Sequence, residues 1–244
     1  QMCENLGYTR MSSSVARKYI VLFTPKSQMD TAAFWMRVIQ GVETAATKKG
    51  FTLSLKTVEE TTDEAEVLSL LQNTAGAIFI SHKTGELIQK VCGYCPTLLL
   101  TYPPVPLLQT DCLNISDSEA MEALCDQVIA WGHQRIAYYG PTNRLFGKEL
   151  IRGIRRSTEK AGFSSAEIWS DTETPDSYQN TVAMLTGRKA QGNFPTAILC
   201  ASDQLAQSVI FALGLLSISV PQQVSVTSFN SDTGFNNVIP VTSM

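Results

Sequence analysis

Short runs rich in β-branched and aromatic residues alternate with helix-period segments along almost the whole chain. This alternation leaves few ways to fold. The stretch WGHQRIAYYGP (131–141) shows the unit. Trp131 closes an apolar-periodic segment, Gly132 is a helix stop, 135–139 read as a strand, and Gly140-Pro141 breaks it. Strands separated by single helices cannot pair as hairpins. They pair in parallel through right-handed crossovers, with helices on both faces of the sheet.

The pattern runs through two successive units. In the first, strands are expected at 19–23, 51–55, 76–81 and 97–101, with helices at 34–49, 62–71 and 85–91. Gly50 stops the first helix, and a Thr-Thr-Asp-Glu cap opens the second. A proline-rich connector, 103–110, follows. The pattern restarts with an extended piece at 112–115 and strands at 135–139, 167–169, 196–200 and 224–229. Helices are expected at 117–131, 148–161, 176–185 and 203–213, and none at the end of the chain.

The 244 residues are 44% hydrophobic and 17% charged, enough apolar matter for two cores and too little charge for a disordered chain. A net charge of −3 gives no electrostatic footprint for nucleic acid within these residues. No apolar run reaches the roughly 18 residues a membrane span needs, and no signal segment opens the chain, so a cytoplasmic location is expected. Dinucleotide, P-loop and nucleophile-elbow motifs are missing, and two histidines cannot supply a triad by spacing, so the chain is read as no enzyme. Cys92-Gly-Tyr-Cys95 is a CxxC. A zinc site needs two further ligands, and the histidines of the sequence are His82 and His133 alone, so the pair reads as reduced thiols; neither metal nor cofactor is expected. His133, just after the helix stop, reads as a C-terminal cap.

Parallel sheets bind ligands beyond the carboxyl ends of their strands. That rule selects Phe34 and Trp35 after the first strand, His82 after GAIFIS, Tyr102 after TLLLT, Arg144 after RIAYYGP, Ser202 and Asp203 after AILCA, and Asn230 after VTSF. Aromatics, a guanidinium, hydroxyls, an amide and an imidazole suit a small polar ligand such as a sugar or nucleobase. One of Phe34 and Trp35 is expected to serve core packing instead, and Arg144 reads equally as a solvated loop charge.

GHQRIAYYGP resembles the GH-x-R-I-A-x-x-G-P segment of LacI/GalR-family transcriptional regulators. Other segments follow in the family's order. Asn5-Leu-Gly-Tyr8 resembles the LGY that ends the helix-turn-helix head, and Phe34-Trp35 with VIQGVE (38–43) resembles the first core helix. FPTAILCASD (194–203) and Leu213-Gly214 with VPQQVSV (220–226) resemble two further family motifs. The resemblance implies a periplasmic-binding-protein-like fold of type I: two doubly wound parallel-sheet subdomains with a ligand cleft between them. It implies a remnant of head and hinge at 1–16, an N-terminal subdomain at 17–113 rejoined by 240–244, and a C-terminal subdomain at 114–239. It also implies a small-molecule effector, a homodimer, and operator DNA read by a head upstream. A transport-type sugar-binding protein without a DNA role is the alternative.

The departures concern the site. Leu150 stands where the family usually has an arginine three residues before the glycine that Gly153 resembles. Asn230 and Ser116, the latter at the segment between subdomains, stand where acidic residues are common. The hinge region, 11–17, has an Ala-Arg but no leucine to wedge into a minor groove.

Overall fold

The computed structural model describes residues 18–25, 33–58, 62–72, 74–80, 85–100, 110–163, 166–171, 177–192, 194–230 and 242–243. The chain divides into two units, Gln1–Ile115 and Ser116–Met244.

Unit 1 carries β1 (Tyr19–Thr24), α1 (Ala33–Lys48), β2 (Thr52–Thr57), α2 (Glu64–Ser69), β3 (Thr74–Ile80), α3 (Gly85–Cys92), β4 (Thr97–Leu100) and β5 (Asp111–Leu113). Its five strands pair in parallel in the order β2-β1-β3-β4-β5. Side chains alternate across a strand, and here the two faces can be read residue by residue. Val21 and Phe23 of β1, Ala77 and Phe79 of β3 and Leu99 of β4 join Val67, Leu71, Leu87, Ile88 and Val91 on one face. Leu22, Ile80 and Leu100 point the other way, onto Ile39 of α1. Phe23 and Phe79 stack at 4.7 Å between centroids, as their parallel register requires.

Unit 2 carries α4 (Asp117–Ala130), β6 (Ile136–Gly140), α5 (Leu145–Lys160), β7 (Glu167–Ser170), α6 (Ser177–Ala190), β8 (Ala197–Cys200), α7 (Asp203–Leu215), β9 (Ser225–Ser228) and β10 (Thr242–Ser243). The sheet order is β10-β9-β8-β6-β7, again all parallel. Every residue of β6 and β8 is buried, because helices cover both faces of these strands.

Four helices end alike. After α1, α4 and α5, a glycine at positive φ (Gly50, Gly132, Gly162) donates its amide to the carbonyl three residues back, and the next residue donates to the carbonyl five back. This closes the last orphan carbonyls of the helix. Ser217 plays the same part after α7 at φ 54°.

Several expectations need correction. The helix expected at 148–161 starts at Leu145. Gly147, which reads as loop, is the residue that lets the first turn of α5 press against the Pro141 carbonyl, where a Cβ would collide. α6 runs to Ala190 rather than 185, its polar last turn lying exposed. α2 begins only after Asp63, whose carboxylate accepts from the Ala65 amide (3.1 Å), and is shorter than the 62–71 pattern. Thr242–Ser243 pairs with β9, within unit 2, where 240–244 was assigned to the first subdomain. The dividing point is 115/116 rather than 113/114, because β5 completes the first sheet beside β4. His133 caps through its main chain, donating its amide to Val128. Its ring instead meets Thr196 at the entry to β8, Nδ1 to Oγ1 3.0 Å.

Candidate functional site

In unit 2 the βα loops leave the sheet at one edge. Gly140 to Arg144 follows β6, Asp171 follows β7, Ala201 and Ser202 follow β8, and Phe229 and Asn230 follow β9. α5, α6 and α7 all begin there. α4 runs back against β6 through the short 131–135 turn, so its first turn lies toward the same edge.

Main-chain bonds lock these loops. The Ala201 amide donates to Tyr139, the Asp171 amide to Gly140 and the Phe229 amide to Cys200. Tyr138 hydroxyl donates to the Pro141 carbonyl (3.0 Å), setting the turn after β6. Phe146, at the start of α5, packs edge-on against Phe229 at 5.7 Å, tying the loops after β6 and β9 together.

Of the nine expected ligand residues, the structure brings Arg144, Ser202, Asp203 and Asn230 to this edge. Arg144 is the N-cap of α5 in extended conformation, is exposed, and its side chain makes no cap bond. Ser202 caps α7, accepting weakly from the Leu205 amide at 3.4 Å. Asp203 is the first residue of α7 and only 7% exposed. Asn230 is half-buried, and its carbonyl accepts from Ser228 Oγ (3.1 Å). Ser116 is the exposed N-cap of α4 and makes no cap bond through its side chain. Trp35, in unit 1, packs partly buried against the Leu22–Ile39–Ile80–Leu100 cluster. His82, Tyr102 and the Phe34 side chain lie outside the described residues.

The edge holds groups that the motif reading did not select. Thr142 and Ser170 hydroxyls meet at 3.0 Å across the loops after β6 and β7. Behind them Tyr139 hydroxyl donates to Asp171 Oδ2 (2.6 Å) and meets Thr181 Oγ1 (2.7 Å), all three residues buried. Burial, then the hydrogen bond to Asp171, pushes the Tyr139 phenol up from its ordinary range. The strand-end rule applied to β7 points to Ser170 and Asp171. The Tyr139–Thr181 contact, 42 residues apart, has no local signal. Burial and then Glu149 push the Asp117 carboxyl up to about 6. Among the described residues no group of three or more His, Cys, Asp or Glu is gathered as metal ligands would be. Cys95 is buried and Cys92 half-buried at the end of α3. No described helix is long and apolar enough to cross a membrane.

Comparison with known proteins follows the same lines. A periplasmic binding protein-like domain family matches residues 125–244. The HTH-type transcriptional repressor PurR of Escherichia fergusonii is 25% identical over 242 residues, 90% of this chain and 67% of that protein. The arabinose metabolism transcriptional repressor of Geobacillus stearothermophilus is 22% identical over 232 residues, 86% of this chain and 64% of that protein. The chain thus spans about two thirds of the length of the repressors it matches. Among solved structures, a sugar-binding transcriptional regulator of the LacI family from Escherichia coli, complexed with phosphate, shares the fold. Its TM-score is 0.74 at 19% identity, over 93% of this chain and 83% of that one. The two parallel sheets, the ordered motifs from GHQRIAYYGP to VPQQVSV and these matches agree in supporting a periplasmic-binding-protein-like core that is similar to those of LacI/GalR-family repressors.

Proposed function

We propose that this chain is the effector-binding core of a ligand-responsive transcriptional repressor, and that the carboxyl edge of the unit 2 sheet holds a small polar effector, a sugar or sugar derivative. The observation that carries this reading is the convergence of Arg144, Ser202, Asp203 and Asn230 at one strand edge, beside the Thr142–Ser170 hydroxyl pair. A guanidinium donates, a carboxylate accepts, and an amide and hydroxyls do both, which is the set a hydroxyl-rich ligand requires. With Ser116 and Asn230 where carboxylates are common, Asp203 is a carboxylate at this edge able to accept from a ligand hydroxyl.

In this reading operator DNA is bound by a helix-turn-helix head upstream of the core, in a cytoplasmic homodimer. The effector acts by binding one conformation better than the other, and operator affinity changes by the same coupling. The repressor relatives favour this over a transport-type binding protein.

A thermal-shift panel of sugars and nucleosides tests it. A ligand at 100 times its Kd stabilises the folded state by about 2.7 kcal/mol. The expected result is a melting-temperature rise with a sugar and none with nucleosides. A folded protein that no sugar shifts overturns the reading.

A further inference from the structure

Tyr138 and Tyr139 are consecutive on β6, so their side chains go to opposite faces of the sheet. Both are buried, and each hydroxyl ends on one of two neighbouring loops. Tyr138 donates to the Pro141 carbonyl (3.0 Å) and so sets the main chain just before Thr142. Tyr139 donates to Asp171 Oδ2 (2.6 Å) and so sets the residue just after Ser170. Thr181 Oγ1 of α6, 2.7 Å from the same phenol oxygen, fixes the direction of that bond. The Asp171 amide adds a bond to the Gly140 carbonyl (2.9 Å), so the two loops are tied by main chain as well.

Above this frame, Thr142 Oγ1 and Ser170 Oγ meet at 3.0 Å, the threonine half-buried and the serine exposed. A hydroxyl is both donor and acceptor. After one of the two has donated to the other, the pair still offers an O–H and open lone pairs to solvent. A single ligand hydroxyl needs just this, an oxygen to donate to and an O–H to accept from. Serine and threonine on unbraced loops would have to be ordered by the ligand. Here the buried tyrosines have already ordered them, which removes part of the cost of binding.

We infer that the Thr142–Ser170 pair is a preformed subsite for one hydroxyl of the effector, and that Tyr139 is its positioning residue, acting on Ser170 through Asp171. The inference rests on the effector's placement at this edge. Tyr139 is 1% exposed and does not reach the ligand, so its effect on binding passes through Ser170.

Calorimetric titration of the whole chain with the sugar that gives the largest thermal shift, and with its monodeoxy analogues, tests this. The wild type is expected to bind one analogue about 5- to 10-fold more weakly than the parent sugar. Ser170→Ala is expected to bind the parent sugar more weakly by a similar factor and to bind that analogue equally well as the parent. Tyr139→Phe is expected to lose the same discrimination, and the double variant to bind no more weakly than Ser170→Ala alone. A Tyr139→Phe variant with a lower melting temperature but intact discrimination overturns the positioning role. Should Tyr139→Phe not fold, Thr181→Val, which takes one partner from the Tyr139 hydroxyl, replaces it in the comparison. If Ser170→Ala keeps every discrimination of the wild type, the subsite is overturned while the edge stands as the effector site. A wild type that no sugar shifts overturns both.

Discussion

Replacing Gly153 with alanine adds one methyl group to a helix and ought, on propensity alone, to stabilise it by about 1 kcal/mol. The structure reverses that sign. The new Cβ would meet only main-chain atoms of α4, the Glu122 nitrogen at 2.8 Å and the Ser118 carbonyl carbon at 3.1 Å, with the Ser118 oxygen closer than either. No flexible side chain stands there to swing aside, so α4 and α5 must part by about an ångström. Overpacking of this kind costs roughly 1–3 kcal/mol. Separation also stretches the part-buried Arg152–Ser118 bond and the exposed Lys160–Glu122 pair. After the propensity gain, the net expected loss is about 1–2 kcal/mol. Gly187→Ala is the internal control, because its Cβ meets nothing within 4 Å on the exposed side of α6. It should stabilise by about 0.5–1 kcal/mol. Urea titrations followed by tryptophan fluorescence, with Trp169 3% exposed inside unit 2, read both variants. Two alanines of the same sign would refute the close crossing of α4 and α5.

Ser217→Gly should stabilise by about 1 kcal/mol, because φ 54° costs a side-chain residue what Gly50, Gly132 and Gly162 avoid at equivalent positions; a thermal melt reads it. Tyr139→Phe should destabilise unit 2 by about 1–3 kcal/mol by taking the donor from buried Asp171, measured by the urea midpoint at constant slope. Burial holds the His133 imidazole below its ordinary range, so the unfolded chain binds that proton more tightly and stability falls on acidification through pH 6.5. His133→Gln should flatten that part of the stability profile, checked by urea midpoints at pH 5.5 and 7.5.

The alternation of strands and helices was legible because it rests on local spacing and on stops such as Gly50 and Gly132, whose positive φ a side chain resists. Gly147 shows where local reading fails: a glycine after Gly140-Pro141 looks like loop, yet it serves close packing inside α5. The end of α6 was missed because its outer turn carries no apolar periodicity, while the buried Leu71 carries the apolar pattern past the last helical residue of α2. β10 is two residues long and gains its identity only from pairing with β9. The strand-end rule placed Arg144, Ser202, Asp203 and Asn230 at the carboxyl edge of the unit 2 sheet, because topology alone decides that position. The same rule cannot tell a ligand-facing aromatic from a packed one, and Trp35 lies against the core. The Tyr139–Asp171–Thr181 cluster depends on residues brought together from β6, the end of β7 and α6.

The central claim is that the carboxyl edge of the unit 2 sheet binds the effector. Calorimetric titration of the sugar that gives the largest thermal shift, against wild type, Arg144→Ala and Asn230→Ala, tests it most directly. Arg144 is an exposed cap whose side chain makes no cap bond, and Asn230 contributes its main-chain carbonyl to the fold, so both variants should keep their structure. Each is expected to bind the sugar about 10- to 100-fold more weakly, the equivalent of roughly 1–3 kcal/mol, with an unaltered melting temperature in its absence. Wild-type affinity in both variants would contradict the account and move the effector away from this edge.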